Sequence, residues 1–257
     1  MNSIKYLAIG IATLPVFTSC ETMSQIANSL PQTTTPGTTT NNTGSTSGTI
    51  TQAEATTGIK QALNNGLQNS INTLSASNGF YGDALVKIMM PQEAQKVEQV
   101  LRSAGMGKLV DNFLMSLNRA AESAVKEAAP VFVNSLSQMT VTDAFNILLS
   151  SQQDAATSFF KRTTSATLTQ KFSPIVESAL GKNNVGTYWT QLTSAYNALP
   201  LSNNKVQTDL KAYVTQKAID GLFVKVAGEE LKIRQNIGGS RNSNVLQSVF
   251  GWVDKQK

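Results

Sequence analysis

After residue 50, apolar residues recur along the chain at the period of an α-helix. The first stretch of this kind carries them at Ala55, Ile59, Ala62, Leu63, Leu67, Ile71 and Leu74. Thr51 and Glu54 have the spacing of a capping box, in which the Thr hydroxyl and the Glu carboxylate bond each other's backbone amides. Asn78 and Gly79 follow the last apolar position and favour a helix end. The pattern therefore predicts a long first helix that begins at Thr51.

Further helical stretches follow, most of them separated by proline or glycine. They are predicted at residues 91–103, 108–129, 131–137, a short span capped by Thr140 or Thr142, 153–161, 164–180, 185–199, 207–235 and 244–253. Pro130 is expected to end the helix before it, and Pro174 to kink or restart its own. Residues 80–90 have no helical stripe and are predicted to form an extended loop. Since no stretch alternates with period two for long enough to form a sheet, the predicted fold class is all-α.

The first 20 residues have the parts of a lipoprotein signal peptide. Lys5 is followed by an apolar stretch at residues 6–16, and two small residues precede Cys20. About 11 apolar residues are too few for a membrane-spanning helix, which needs roughly 20. We expect cleavage after residues 1–19 and lipidation of Cys20, which would anchor the protein to a membrane. The alternative is a plain secretory signal that leaves Cys20 as a thiol, because Phe17 stands where lipoproteins usually have leucine.

Residues 20–50 are dominated by Thr, Ser, Asn and Gly and predict a disordered linker after the lipidated cysteine. A flexible tether of about 30 residues has a root-mean-square reach of roughly 30 Å. The folded part, residues 51–257, is then a single compact multi-helix domain that can stand clear of the bilayer. Glu21 is not the aspartate associated with inner-membrane retention in some bacteria. We therefore expect a cell-envelope protein at the outer membrane, facing the periplasm or the cell surface.

The amino-acid composition excludes several kinds of catalytic and metal-binding site. Histidine is absent and Cys20 is the only cysteine, which excludes Ser-His-Asp and Cys-His nucleophiles and any His or Cys metal site in the mature chain. We predict no catalytic residue, no metal and no cofactor, and we favour a protein that is not an enzyme. The net charge is +5, but the basic residues are scattered singly, so no nucleic-acid partner is expected.

Polar residues border the apolar stripe of the predicted helix 108–129. Asp111, Asn118 and Glu122 lie together along one side of it when residues are placed at 100° steps. They are candidates for the edge of a cleft. The alternative, which we favour, is that they hydrogen-bond neighbouring helices.

The predicted helix 207–235 is apolar almost all the way round, which is typical of a buried central helix. Asp220, Glu230 and Arg234 project into a common sector of it. Because an isolated buried charge is costly, Arg234 is predicted to pair with at least one of these carboxylates. This candidate buried polar network could hold an anionic ligand or support acid–base chemistry, but a packing role is favoured. Elsewhere, Asp143 and Asp154 precede helical stretches, as residues that cap helix amides do.

Several phrases of the chain are similar to one family of exported bacterial proteins, designated domain of unknown function 4197. The phrases are GIKQALNNG (58–66), GFYGDALVKIMMP (79–91), KLVDNFLMSLNRAAESAV (108–125), DAFNILL (143–149), DAATSFF (154–160), FSPIVESAL (172–180), YVTQKAIDGLF (213–223) and VFG (249–251). The resemblance implies an exported, mostly helical domain with no known activity, so it supplies no catalytic residue. The chain departs from it at Ile237, where the family is expected to have proline.

Three functions remain open. The leading hypothesis is a membrane-anchored lipoprotein whose helical domain binds or scaffolds an envelope protein. The second is a helical carrier of a small apolar ligand or lipid, which would require a large dry cavity between helices. The third, with the least support, is a carboxylate-dependent enzyme acting on glycan, which would require two facing carboxylates in an open groove.

Overall fold

The computed structural model describes residues 50–198 and 209–256. The predicted signal peptide, Cys20 and nearly all of the predicted linker lie outside these residues. Within them the chain forms nine α-helices and no strand. The helices are α1 (Gln52–Ser75), α2 (Gln95–Ser103), α3 (Gly107–Val125), α4 (Ala128–Gln138), α5 (Val141–Leu149), α6 (Ala155–Lys182), α7 (Val185–Asn197), α8 (Leu210–Gln235) and α9 (Asn244–Asp254). None of the described helices is both long enough and apolar enough to cross a bilayer.

Helix α8 lies at the centre of the domain and packs against α1, α3 and α6. Apolar residues on several of its sides are buried, including Val214, Ala218, Leu222 and Val226. This agrees with the prediction of an all-α fold built round a buried central helix. Phenylalanines fill the space between α4, α6 and α8, with the rings of Phe132 and Phe160 in edge-to-face contact at 5.3 Å between centroids.

The capping box predicted at Thr51 is present. The Thr51 hydroxyl accepts a hydrogen bond from the Glu54 amide at 3.2 Å, and the Glu54 carboxylate accepts one from the Thr51 amide at 2.8 Å. The second candidate cap is Thr140 rather than Thr142, and it forms the same reciprocal pair with Asp143. Both helices therefore begin where side chains satisfy their first free amides.

Two predicted boundaries were wrong. Helix α3 ends at Val125, and Pro130 lies in the first turn of α4, where its missing N–H has no helical partner to lose. The chain between residues 155 and 182 is one helix, not two, and it continues through Pro174. Pro174 and Gln170, whose carbonyl the proline leaves free, are both exposed, so water can satisfy that group.

Candidate functional site

Residues 76–91, which we call the α1–α2 loop, have no regular helix but are firmly packed. Val86, Ile88 and Met90 are buried, whereas Lys87 and Met89 between them point outward. This alternation is that of an extended segment with one face against the core. Residues 80–90 were predicted to form an extended loop, and the structure confirms this for residues 87–90, whereas most of residues 80–86 form turns.

Asn118 of α3 holds the middle of this segment. Its side chain is fully buried; Oδ1 accepts from the Ile88 amide at 2.8 Å, and Nδ2 donates to the Ile88 carbonyl at 2.9 Å. Nδ2 also donates to the Leu114 carbonyl at 2.7 Å. The amide thus gives Ile88 the two bonds that a neighbouring β-strand would supply.

Glu122, one turn further along α3, holds the start of the loop. Its Oε1 accepts from the Phe80 amide at 3.2 Å, and its Oε2 pairs with Nη1 of Arg119 at 2.6 Å. Arg119 also donates to Ser77 and Asn78. One oxygen of the buried Glu122 carboxylate therefore has a backbone donor, and the other has a cationic partner.

Asp111 does not join these two residues. Its carboxylate is about half exposed and pairs with Arg102 of α2 at 2.8 Å. Asp111, Asn118 and Glu122 therefore do not border a common cleft. Asn118 and Glu122 hydrogen-bond the α1–α2 loop, whereas the alternative interpretation expected neighbouring helices as their partners.

On its other side the loop contacts α8 at Gly221. A Cβ added there would lie 2.6 Å from Cε1 of Phe80 and 3.3 Å from Cβ of Val86. Only glycine lets the loop approach the helix this closely. Next to this contact, Lys225 of α8 forms an ion pair with Asp83, and this hydrogen bond lowers the pKa of the Asp83 carboxyl.

At the far end, the Tyr213 hydroxyl donates to the Met89 carbonyl at 3.0 Å. Burial, with a smaller contribution from the Glu93 charge, raises the pKa of Tyr213. The hydroxyl therefore stays protonated at neutral pH and remains a donor. The loop and α8 run in opposite directions, since Asp83 meets Lys225 and Met89 meets Tyr213.

Between the loop and α8 lies an open groove of about 590 Å³, which also reaches the start of α2. Its walls include Leu85, Lys87, Met89, Glu93, Tyr213, Lys217, Asp220 and Val224. Three of these are large apolar side chains with high exposure: Leu85 at 77%, Met89 at 51% and Val224 at 45%. Apolar side chains held in the open on firmly packed elements are typical of an interaction surface.

Asp220 belongs to this groove and not to the network predicted with Arg234. It is exposed and accepts a hydrogen bond from Gln216 at 2.8 Å. A helix turns by 100° per residue, so the ten residues to Glu230 bring the two side chains only to within about 80° of one another. That difference is enough to leave one in solvent and the other in the core.

The other two members of the predicted network do form a buried ion pair. Oε1 of Glu230 accepts from Nε and Nη2 of Arg234 at 3.0 and 2.9 Å, and both side chains are about 95% buried. Nη2 of Arg234 also donates to the Ile147 carbonyl in the last turn of α5, at 2.8 Å. The pair therefore ties α8 to the end of α5.

Glu230 also caps α6. It accepts from the backbone amides of Ala156 and Thr157, and from the Thr157 hydroxyl, each at 2.9 Å. Asp154 occupies the N-cap position of α6, but its side chain makes no capping bond. The capping role expected of Asp154 is thus taken by a carboxylate from another helix, whose charge also suits the positive end of the α6 dipole.

Arg241 extends the polar contacts beyond α8. Its Nε donates to the Ile233 carbonyl at 2.9 Å and its Nη2 to the Arg234 carbonyl at 2.6 Å, while Nη1 pairs with Asp254 of α9 at 2.6 Å. These donors satisfy free carbonyls at the end of α8.

Because both oxygens of Glu230 are occupied by protein donors, this network joins helices and leaves no free acceptor for a ligand.

In the part of the chain that the structure describes, no group of three or more His, Cys, Asp or Glu residues could hold a metal ion.

The groove residues Leu85, Met89, Tyr213 and Val224 were not identified as candidates from the sequence. The available sequence signal was the short period-two pattern at residues 86–90. Val224 gave no such signal, because α8 is apolar almost all the way round.

The fold and the groove define an all-α domain with an open, partly apolar surface groove. The chain belongs to the family described as Protein of unknown function (DUF4197), whose model matches residues 49–251. This confirms the resemblance noted from its sequence phrases. Among curated proteins and among solved structures, no match was found.

Proposed function

We propose that the chain is a membrane-anchored lipoprotein whose helical domain binds a protein partner at the cell envelope through the groove between the α1–α2 loop and α8. The observation that carries this proposal is the exposure of Leu85, Met89 and Val224 on walls held in place by buried contacts. A protein partner would cover these side chains and gain the free energy of burying them.

The packing between the helices favours a protein partner over a carried ligand. A second pocket among the described residues, lined by α1, α6, α8 and α9 beside Glu230, holds only about 10 Å³. That is room for about one water molecule, whereas pockets for small ligands measure roughly 300–1,000 Å³. The groove has a volume in that range, but it is open and does not enclose a ligand. The two carboxylates of the groove, Glu93 and Asp220, are exposed. A glycosidase holds its general acid in an apolar site, so this exposure favours binding over hydrolysis.

A position-specific photocrosslink tests the groove. We would replace Leu85 with a photoreactive phenylalanine analogue, express the protein in its own cells and irradiate them. The matched control carries the analogue at Val141, which is also an exposed apolar residue but lies on α5, away from the groove. A discrete protein adduct from position 85 and none from position 141 is expected. Equal adducts at both positions, or none at either, would contradict the proposal.

The anchor rests on Cys20 and the signal peptide before it. Two or more acyl chains on this cysteine would retain the protein in a membrane, because each buried methylene contributes about 0.8 kcal/mol. We expect Cys20→Ser to lose incorporation of labelled palmitate and to move the protein from the outer-membrane fraction. Retention of Cys20→Ser in that fraction would show that something other than lipid holds the protein there.

A further inference from the structure

We infer that the groove receives an extended segment of the partner polypeptide, which adds to the α1–α2 loop as a β-strand along residues 87–89. This inference rests on the proposed function and specifies the form in which the partner binds. It follows from the backbone of the loop rather than from its apolar side chains alone.

The alternating burial of this segment and the contacts of Ile88 are those of a strand with one edge occupied. Side chains at residues 86–90 alternate between core and groove, and Asn118 bonds both the N–H and the C=O of Ile88. In an extended chain the N–H and C=O of one residue point to the same side, and those of the next residue to the opposite side. Asn118 therefore marks the closed edge.

The opposite edge faces α8 across the groove. The Met89 carbonyl points that way, since it accepts from Tyr213 of α8. The Lys87 carbonyl and the Met89 N–H belong to the same edge, and neither has a hydrogen-bond partner in the described part of the chain. In a parallel ladder one residue of the added strand supplies both missing bonds: its N–H donates to Lys87 and its carbonyl accepts from Met89.

A free backbone edge selects among partners. The backbone groups of a docked helix are already paired within the helix, and a lipid chain has no amides. An extended polypeptide, by contrast, has free backbone groups that can satisfy a donor and an acceptor spaced along one strand edge. This is why the inference commits to a peptide rather than to a helix or a lipid.

The side chains of the groove indicate the sequence of that peptide. Leu85 and Val224 provide apolar surface near the end marked by Asp83 and Lys225, and Met89 provides it near the other end. Between them lie two lysines on opposite walls. The Lys87 ammonium is 4.0 Å from the centroid of the Tyr81 ring, and the Lys217 ammonium is 5.9 Å from that of the Tyr213 ring.

Neither lysine forms an ion pair with a described residue, and the nearby Asp220 already accepts a bond from Gln216. An acidic side chain on the peptide, between two apolar ones, would face both ammonium groups. Charge complementarity of this kind determines where along the loop the added segment aligns. It contributes less to the affinity of the segment.

The test uses the mature protein in mild detergent and a phage-displayed library of random dodecapeptides. Enriched peptides are expected to alternate apolar and polar residues and to carry an acidic residue between apolar ones. A synthetic peptide of the enriched sequence should slow hydrogen exchange of the Met89 amide about tenfold or more, since that amide becomes hydrogen-bonded.

Two variants separate the backbone bond from the side chain. Met89→Pro removes the N–H and should weaken binding of the synthetic peptide about tenfold, whereas Met89→Ala keeps it and should weaken binding only about threefold. Val141→Ser, outside the groove, should bind like the wild type. If Met89→Pro does not fold, the exchange measurement on the wild-type protein still decides.

Enrichment of peptides with apolar residues at helical spacing would overturn the inference, as would peptide binding that leaves Met89 exchange unchanged. So would the absence of any enriched peptide. None of these results bears on whether Leu85 crosslinks to a protein in cells. Failure of strand addition is therefore distinguishable from failure of the proposed function.

Discussion

Removing the Arg234 guanidinium should destabilise the domain strongly. In Arg234→Ala, Glu230 keeps its three donors on α6 but loses two charge-assisted hydrogen bonds, and the Ile147 carbonyl loses its charged donor and keeps only the Ser150 amide at 3.4 Å. Both members of the pair are about 95% buried, so water does not readily replace what is lost. The variant therefore leaves a buried carboxylate with fewer donors and the Ile147 carbonyl with one long hydrogen bond.

The magnitude follows from these separate losses. Breaking a buried ion pair by removing one partner costs about 3–5 kcal/mol, and the retained bonds from α6 place this case near 3 kcal/mol. The lost hydrogen bond from the guanidinium to the Ile147 carbonyl adds about 1 kcal/mol. The free energy of unfolding should fall by about 4 kcal/mol. For a domain of this size, the melting temperature should then fall by roughly 8–16 °C.

Urea denaturation of the mature protein, followed by far-ultraviolet circular dichroism, measures this change. Asp220→Asn is the matched control, because it removes a carboxylate from the same helix at an exposed position, and it should change stability by less than about 0.5 kcal/mol. If Arg234→Ala unfolded within that same margin of the wild type, the ion pair would not be buried as described.

Three further predictions concern the α1–α2 loop. Gly221→Ala should lower the free energy of unfolding by about 1–3 kcal/mol because its Cβ would overlap an aromatic ring of the loop. Gly228→Ala, on the exposed side of α8 with no atom within 4 Å of the new Cβ, should raise it by about 0.5–1 kcal/mol; both are measured in urea. The pKa of Asp83 is lowered by Lys225, so their bond stabilises the loop at neutral pH and is lost as the pH falls through the acidic range. The difference in stability between Lys225→Met and the wild type should therefore shrink as the pH is lowered from 7 to below the ordinary carboxyl pKa of about 4, and a constant difference would contradict this account. Asn118→Leu leaves a backbone donor and acceptor of the loop unpaired at about 1–3 kcal/mol each, which should appear as faster amide exchange along the extended segment than in α3 itself.

The polar network shows which contacts sequence reasoning can reach. The spacing of Glu230 and Arg234 on an apolar helix predicts an ion pair, because both residues lie on one element and the geometry of a helix is known. What the pair bonds to outside α8 depends on how α5 and α6 pack against it, and no local pattern contains that information. Asp154 illustrates the limit: its position at the start of α6 favours a cap, yet Glu230 takes that place.

Helix boundaries were predictable where a side chain acts locally and unpredictable where packing decides. The capping boxes at Thr51 and Thr140 use residues three apart, so their sequence determines them. The break expected between residues 161 and 164 is absent because Thr164 is buried and bonds the Phe160 carbonyl within the helix, at 2.6 Å. The sequence alone does not show whether a threonine at that position continues the helix or ends it, because this depends on the residues packed around it.

The extended segment of the α1–α2 loop could be recognised from its sequence, but its position as one wall of a groove could not. The outward residues Lys87 and Met89 line a groove only because Asn118 occupies one edge of the segment and α8 lies across the other. Fixing the backbone of each residue costs about 1–2 kcal/mol, and here buried side chains of the loop and of α3 offset that cost within the folded domain. A partner that adds to the open edge therefore need not order the loop, and more of its contact energy appears as affinity. In the proposed mode of binding, the buried contacts of Asn118 and Gly221 hold the loop in place without touching the partner. Substitutions at these two residues are therefore expected to change both stability and partner binding.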